Sequence, residues 1–147
     1  MRLWHYRLIP VLPNKMLVSQ WRECIAIKRQ WEKGTLKHRL VSYVMKYDKF
    51  SFRNYCNKVY EEMKKRNINC SFKIHQELNK FGEISGYKLL TLDIIAYPEH
   101  NNRYLKQCLC NLQEKYDRKI ITKEEWNIII ESDVMKNINV ETLLEWE

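Results

Sequence analysis

Two groups within the first 29 residues, MRLWHYRLIPVLPNKMLVSQWRECIAIKR, could do chemistry: the amino terminus at Met1 and the adjacent pair Arg22-Glu23. An α-amino group has an ordinary pKa of about 7.7–8.0, against about 10.4 for lysine, so it offers more free base at neutral pH and is the better nucleophile. A carboxylate beside it can stabilise developing positive charge and move protons. Taken alone, Glu23 also reads as a salt-bridged surface residue, and Arg22 as one cation on a solvated helix face.

Those groups need elements to hold them. Pro10 and Pro13 keep residues 1–12 extended, and Asn14 can cap a helix by accepting a hydrogen bond from a free first-turn amide. Leu17, Trp21, Cys24, Ile25 and Lys28 then recur at three- and four-residue spacing as one buried stripe. Lys15, Ser19, Arg22, Ala26 and Arg29 fall on the opposite side, where the small Ser19 and Ala26 leave room for a phosphate backbone between cations. Gly34 ends this helix. A second, Lys37 to Lys46, is expected from the core stripe Leu36, Leu40, Tyr43, Val44 and Tyr47. Asp48 can cap a third over about 50–66, with Phe52, Tyr55, Cys56, Val59, Tyr60 and Met63 inward. Lys64, Lys65 and Arg66 suit its C-terminal dipole and could equally reach a polyanion. Residues 71–81 make another helix and 82–86 a loop. Residues 89–96 read either as a short strand or as an irregular or helical start, because a short apolar run has no decisive period. Helical spacing returns over 101–118, with Leu105, Cys108, Leu109, Leu112 and Tyr116 inward. Thr122 and Glu125 form a capping box for a last helix over 123–136, with Trp126, Ile129 and Ile130 on the core. The acidic end Glu145-Trp146-Glu147 reads as docked or frayed.

A chain of 147 residues with three glycines and three prolines fits a single compact all-α domain, because the residues that interrupt helices are scarce. Net charge is +8, unevenly spread. Residues 1–70 hold 16 Lys/Arg against 5 Asp/Glu, or +11, and residues 71–147 hold 10 against 13, or −3. Such polarity suits a polyanion, through counterion release, or an anionic membrane surface, or simply solubility. The five cysteines, Cys24, Cys56, Cys70, Cys108 and Cys110, are odd in number and fall mostly on inward helix faces, which points to reduced thiols in a cytoplasmic protein. Cys108-x-Cys110 has no second pair, so burial is preferred to a zinc site with His75 or His100, and no metal is expected. The apolar stretch from Leu89 to Tyr97 contains Asp93 and is too short to span a bilayer.

The run Leu17-Val-Ser-Gln-Trp21-Arg22-Glu23 resembles the Leu-x-x-x-aromatic-Arg-Glu signature of the pyrimidine-dimer DNA glycosylase family, of endonuclease V type. The opening Met-Arg-Leu-Trp-His is similar to its cellular branch. A second block, Tyr47-Asp48-Lys49 with Arg53 and Glu61-Glu62-Met63-Lys64-Lys65-Arg66, is similar to a family helix and its basic end. A weaker third runs from Tyr97-Pro98-Glu99-His100 to Asn111-Leu112-Gln113-Glu114-Lys115. The resemblance covers about residues 1–118 and is most specific over the first 70.

The resemblance implies an all-α fold and a nucleophile on the nitrogen of Met1. Arg2 is bulky enough to prevent initiator removal, where the phage pattern has a small second residue. It further implies Glu23 as the catalytic carboxylate, Arg2 and Arg22 on the phosphates flanking the lesion, and no cofactor. Lys15 and Arg29 lie in the same stretch and are expected to touch DNA. Met16 stands where the phage pattern has a histidine, a role His5 is a candidate to fill. The aromatic C-terminal segment of the family is not reproduced, since Trp126 and Trp146 stand apart. The partner implied is double-stranded DNA carrying UV damage, bound by a monomer in the cytoplasm with the nucleoid. Two other functions stay open: a basic nucleic-acid-binding protein without catalysis, and a lyase or glycosylase for abasic sites or oxidised purines.

Overall fold

Asp48, Ser71, Asn101 and Thr122 each start a helix by turning a side-chain oxygen onto an amide that would otherwise lack a partner. Asp48 Oδ1 accepts from the Ser51 amide at 2.9 Å, Ser71 Oγ from Ile74 at 3.2 Å and Asn101 Oδ1 from Tyr104 at 2.9 Å. At Thr122 the expected capping box is complete: its hydroxyl accepts from the Glu125 amide at 3.1 Å and its own amide donates to Glu125 Oε1 at 3.0 Å. The computed structural model describes residues 1–83 and 97–135, and every regular element among them is helical. The helices are α1 Asn14–Lys33, α2 Lys49–Lys65, α3 Phe72–Phe81, α4 Asn102–Asp117 and α5 Lys123–Ile130, with short 3₁₀ turns at Tyr6–Val11, Ser42–Lys46 and Asp133–Met135. The protein is therefore all-α over its described residues. The segment 89–96 and the acidic end with Trp146 lie outside them.

The chain divides into two compact units, Met1–Leu3 with Lys15–Tyr97, and Trp4–Asn14 with Pro98–Glu147. In the first, α2 turns Phe52, Tyr55, Cys56, Val59, Tyr60 and Met63 into the core, each expected there. Burying a large apolar side chain contributes roughly 1.5–3 kcal/mol, against helix propensities spread over about 0.7 kcal/mol per residue, so packing rather than propensity holds α2 in place. Helix α3 packs on it and stops at Gly82, where a Cβ would meet Arg53 Cβ at 2.3 Å and the Lys49 carbonyl at 2.9 Å. Trp31 completes this face against Phe52 and the edge of Phe81. In the second unit α5 packs on α4 and on the first 3₁₀ turn, with Tyr116 stacked on Trp126 at 5.6 Å.

Four expectations need correction. Residues 1–12 are not wholly extended: Tyr6–Val11 is a 3₁₀ turn with Pro10 inside it, because the fixed φ of proline suits 3₁₀ geometry as well as extended chain. The helix expected over Lys37 to Lys46 is only the 3₁₀ turn Ser42–Lys46, and Leu40, assigned to the core, is 48% exposed. A helix opening at Lys37 would put Lys37, His38 and Arg39 in its first turn, at the positive end of its dipole. Instead Gly34 leaves α1 with φ +70°, Leu36 and Val41 are buried five residues apart, and Tyr43 and Tyr47 pack on Tyr97. Helix α5 ends at Ile130 rather than near 136, where the Ser132 hydroxyl and amide both donate to the Ile129 carbonyl. Finally, the buried stripe of α1 is Leu17, Gln20, Trp21, Cys24 and Ile27; Ile25 and Lys28 are only half-buried, Lys28 pairing with Glu32 at 2.7 Å.

Candidate active site

The spacing of Leu17, Trp21, Arg22 and Glu23 has a mechanical reason. Leu17 and Trp21 sit on one side of α1 and are buried, Trp21 against the Tyr60 ring at 5.6 Å. With the helix fixed about its axis, the next two residues emerge at defined angles about 100° apart: Arg22 is exposed, and Glu23 is half-buried beside the amino terminus.

Glu23 lies in a hydrogen-bonded cluster centred on Gln20, one turn earlier. Gln20 is fully buried, and its Nε2 donates to Glu23 Oε2 at 2.9 Å and to the Arg2 carbonyl at 2.9 Å. Its Oε1 accepts from the Tyr55 hydroxyl at 2.9 Å, so α2 also enters the cluster. The Arg2 amide donates to the Glu23 carboxylate. Arg2 is thus tied through both its backbone groups, and the adjoining terminal amine lies close enough for its charge to act on Glu23. Desolvation is the largest influence on Glu23 and raises its carboxyl above the usual value. The Arg2 bond, the positive terminus, the Gln20 bond and His38 oppose it, in that order of strength. A carboxylate held partly dry against an amine is disposed to take up a proton and to steady a cation.

Of the expected site residues, Met1, Arg2, Arg22, Glu23, Lys15 and Arg29 all belong to the first unit, and Lys15, Arg22 and Arg29 are exposed along α1 with Ser19 between them. His5 belongs to the second unit. It is buried, caps the first 3₁₀ turn by accepting from the Arg7 amide at 3.2 Å, and has its ring 4.8 Å from Tyr6 and 5.5 Å from His100. His100 is likewise buried and accepts from the Tyr6 amide at 3.3 Å. Among the described residues no group of three or more His, Cys, Asp or Glu is arranged to hold a metal, and no helix is long and apolar enough to cross a membrane.

Burial lowers the pKa of His5 to about 4 and of His100 to about 3. Both are neutral in the fold, whereas their unfolded pKa is 6.5. The unfolded chain therefore binds more protons below about pH 6.5, and stability present above that pH falls as pH drops toward 4. The slope reaches roughly 1.4 kcal/mol per pH unit for each histidine. Urea unfolding at pH 7 and pH 5 is expected to show this loss, and His100→Gln to flatten it; an equal slope in that variant would exclude His100 as its source.

Three residues of the first unit escaped the sequence reading. Gln20 was detectable, since 17, 20, 24 and 27 form a better-centred stripe than one including 25 and 28. Tyr55 was assigned to the core, but nothing in sequence gave its hydroxyl a partner. His38, whose charge reaches Glu23, lies in the segment expected to be helical.

Residues 1–76 match the family described as pyrimidine dimer DNA glycosylase. No curated protein and no solved structure gives a significant match to the chain. The matched span contains the Leu17–Glu23 run and the whole block from Tyr47 to Arg66, and it ends before the third block at Tyr97. A match that starts at Met1, carries both motifs and takes in just over half of the sequence settles the kinship: the chain belongs to the pyrimidine dimer DNA glycosylase family.

Proposed function

We propose that this DNA glycosylase is also an abasic-site lyase and that its nucleophile is the terminal amine of Met1. The nitrogen lone pair attacks C1′ of the 5′ nucleoside of a cyclobutane pyrimidine dimer. The C1′–N bond breaks with its electrons going to the base, which takes up a proton. The attached amine gives up a proton and the C1′–O4′ bond then breaks, its electrons going to O4′, which is protonated as the sugar ring opens. The resulting iminium makes the C2′ hydrogen acidic, and its removal with expulsion of the 3′ phosphate cuts the strand by β-elimination. Glu23 stabilises the cationic sugar and carries protons between these steps. Arg2 and Arg22 hold the flanking phosphates, and Lys15 and Arg29 extend that contact along α1. Amine and carboxylate balance the reaction without metal or cofactor. The partner is UV-damaged duplex DNA, bound by a monomer; a dimer that already weakens pairing lowers the cost of exposing C1′.

One observation carries this reading: the Arg2 backbone is bonded at its amide to Glu23 and at its carbonyl to Gln20, which brings amine and carboxylate together. The test is borohydride trapping of untagged protein on a duplex with one thymine dimer, beside an abasic duplex, with peptide mapping of the adduct. An adduct on the Met1 nitrogen with dimer DNA is the expected result. Trapping on abasic DNA alone would leave a lyase with another lesion, such as an oxidised purine, and none on either would leave a binding protein.

Arg22 is exposed and aims away from the buried stripe, so its contribution is to affinity. Arg22→Ala is expected to weaken duplex binding and to reduce the slope of log K against log salt by about 0.9, one phosphate's worth, in a fluorescence titration at several salt concentrations. An unchanged slope would remove Arg22 from the interface.

A further inference from the structure

Gln20 is a costly choice for its position. A buried primary amide must find partners for each of its polar atoms, whereas an apolar side chain of similar shape would fill the same volume with no such demand. Each of its polar atoms is used, its Nε2 bonds ending on Glu23 and on the residue that follows Met1 and its Oε1 taking the Tyr55 hydroxyl. The orientation of the amide matters as much as its presence. With Nε2 toward Glu23 and Arg2, both hydrogens meet acceptors; reversed, the amide oxygen would face a carboxylate and a carbonyl with no donor between them. The Tyr55 hydroxyl donates to Oε1 from helix α2 and so selects the first orientation.

We infer that Gln20 and Tyr55 are a positioning pair for the proposed terminal-amine chemistry, Tyr55 fixing the Gln20 amide and the amide holding the Glu23 carboxylate and the Arg2 backbone in register. The inference rests on the mechanism proposed above. Neither side chain touches substrate; they act through Glu23 and through the chain that carries the nucleophile. The charged groups acting on the same carboxylate are the terminal amine and His38, and the Arg2 amide is its other hydrogen-bond donor. Because Gln20 also holds the Arg2 carbonyl, a change in the Glu23 titration on substitution at 20 reports the loss of its own bond together with any shift of the Arg2 amide.

Catalytic geometry is sensitive to displacements of about 1 Å, which can cost roughly 100-fold in rate, while loss of one buried hydrogen bond corresponds to about 10-fold. The test compares wild type, Tyr55→Phe, Gln20→Met and the double variant. The readouts are single-turnover borohydride trapping on an abasic duplex, affinity for the same duplex and thermal melting. Tyr55→Phe should slow trapping about 10-fold and Gln20→Met about 100-fold, with the double variant no slower than Gln20→Met because the two residues act in series. Affinity should hold in the double variant, and its melting temperature should fall no further than that of Gln20→Met, since removing the Tyr55 hydroxyl together with its acceptor leaves no additional group unpaired. The lower acid-side inflection of the trapping rate, the one set by the carboxylate beneath the limb of the amine, should move to higher pH in Gln20→Met, since the lost bond favours the ionised carboxylate. Wild-type rate and pH profile in the double variant would overturn the pairing, as would a rate loss matched by loss of folding. Failure of wild type to trap on any DNA would overturn the mechanism on which the pairing stands.

Discussion

Glu23→Gln is expected to abolish base excision while the protein stays folded and bound to DNA. The carboxylate is the acidic group placed against the amino terminus, and in the proposed mechanism it both opposes the cation at C1′ and moves protons. Amide nitrogen can do neither, and general-base and charge-stabilising effects together set a loss of at least about 10³-fold. Stability should not follow. Desolvation holds the Glu23 pKa above its ordinary 4.5, so the stabilisation this group gives is present below pH 4.5 and is lost as pH rises through the raised value. At neutral pH its charge is a net cost to the fold, and Gln removes it. Single-turnover cleavage of dimer DNA, anisotropy binding and thermal melting of the variant check all three parts. Cleavage at the wild-type rate would end the assignment of Glu23. In the wild type the same raised pKa predicts a second acid-side inflection, above the pH of an ordinary glutamate and beneath the limb that protonation of the nucleophilic amine imposes, and any residual activity of the variant should keep the amine's limb and lack the carboxylate's.

The second large effect concerns the nucleophile itself. Acetylating the amino terminus removes the lone pair, and a Gly-Ser extension ahead of Met1 carries it away from Glu23. Either change should suppress trapping by about 10²-fold or more, since a displaced nucleophile forfeits its attack geometry. Duplex affinity should survive, because Lys15, Arg22 and Arg29 remain exposed on α1. Trapping by the acetylated protein at an undiminished rate, with the adduct mapped to a lysine, would transfer the chemistry to a side chain.

Much of the fold was legible because it is decided locally. Asp48, Asn101 and the Thr122/Glu125 pair announce helix starts through bonds spanning three residues, and the α2 face from Phe52 to Met63 repeats cleanly enough to be read as a stripe. Legibility failed where periodicity competed with charge. Leu36, Leu40, Val44 and Tyr47 keep helical spacing, yet the cations at 37–39 disfavour a helix start, and tertiary packing of Tyr43 and Tyr47 on Tyr97 decides the path. The candidate site divides in the same way. The signature residues Trp21, Arg22 and Glu23 were visible as a motif. Gln20 could be placed inward by the stripe 17, 20, 24 and 27, but its role could not be read, because its partners lie 18 and 35 residues away at Arg2 and Tyr55.

The division of the chain into two units carries a consequence for biosynthesis. Residues 4–14 belong with residues 98–147, while Met1–Leu3 belong with the intervening stretch. The first 3₁₀ turn packs on α5, and the Tyr6 amide is bonded to His100, so the first segment to leave the ribosome waits for some of the last to anchor it. At translation speeds of about 5–20 residues per second that delay is several seconds, long compared with helix formation. Helices α1, α2 and α3 can assemble early around their own apolar faces and take Met1–Leu3 with them, since Gln20 and Glu23 of α1 hold the Arg2 backbone, while residues 4–14 are still untethered at that stage. Under the proposed mechanism the reactive nitrogen would therefore meet Glu23 early, and the segment that joins it to α1 would be the part fixed last.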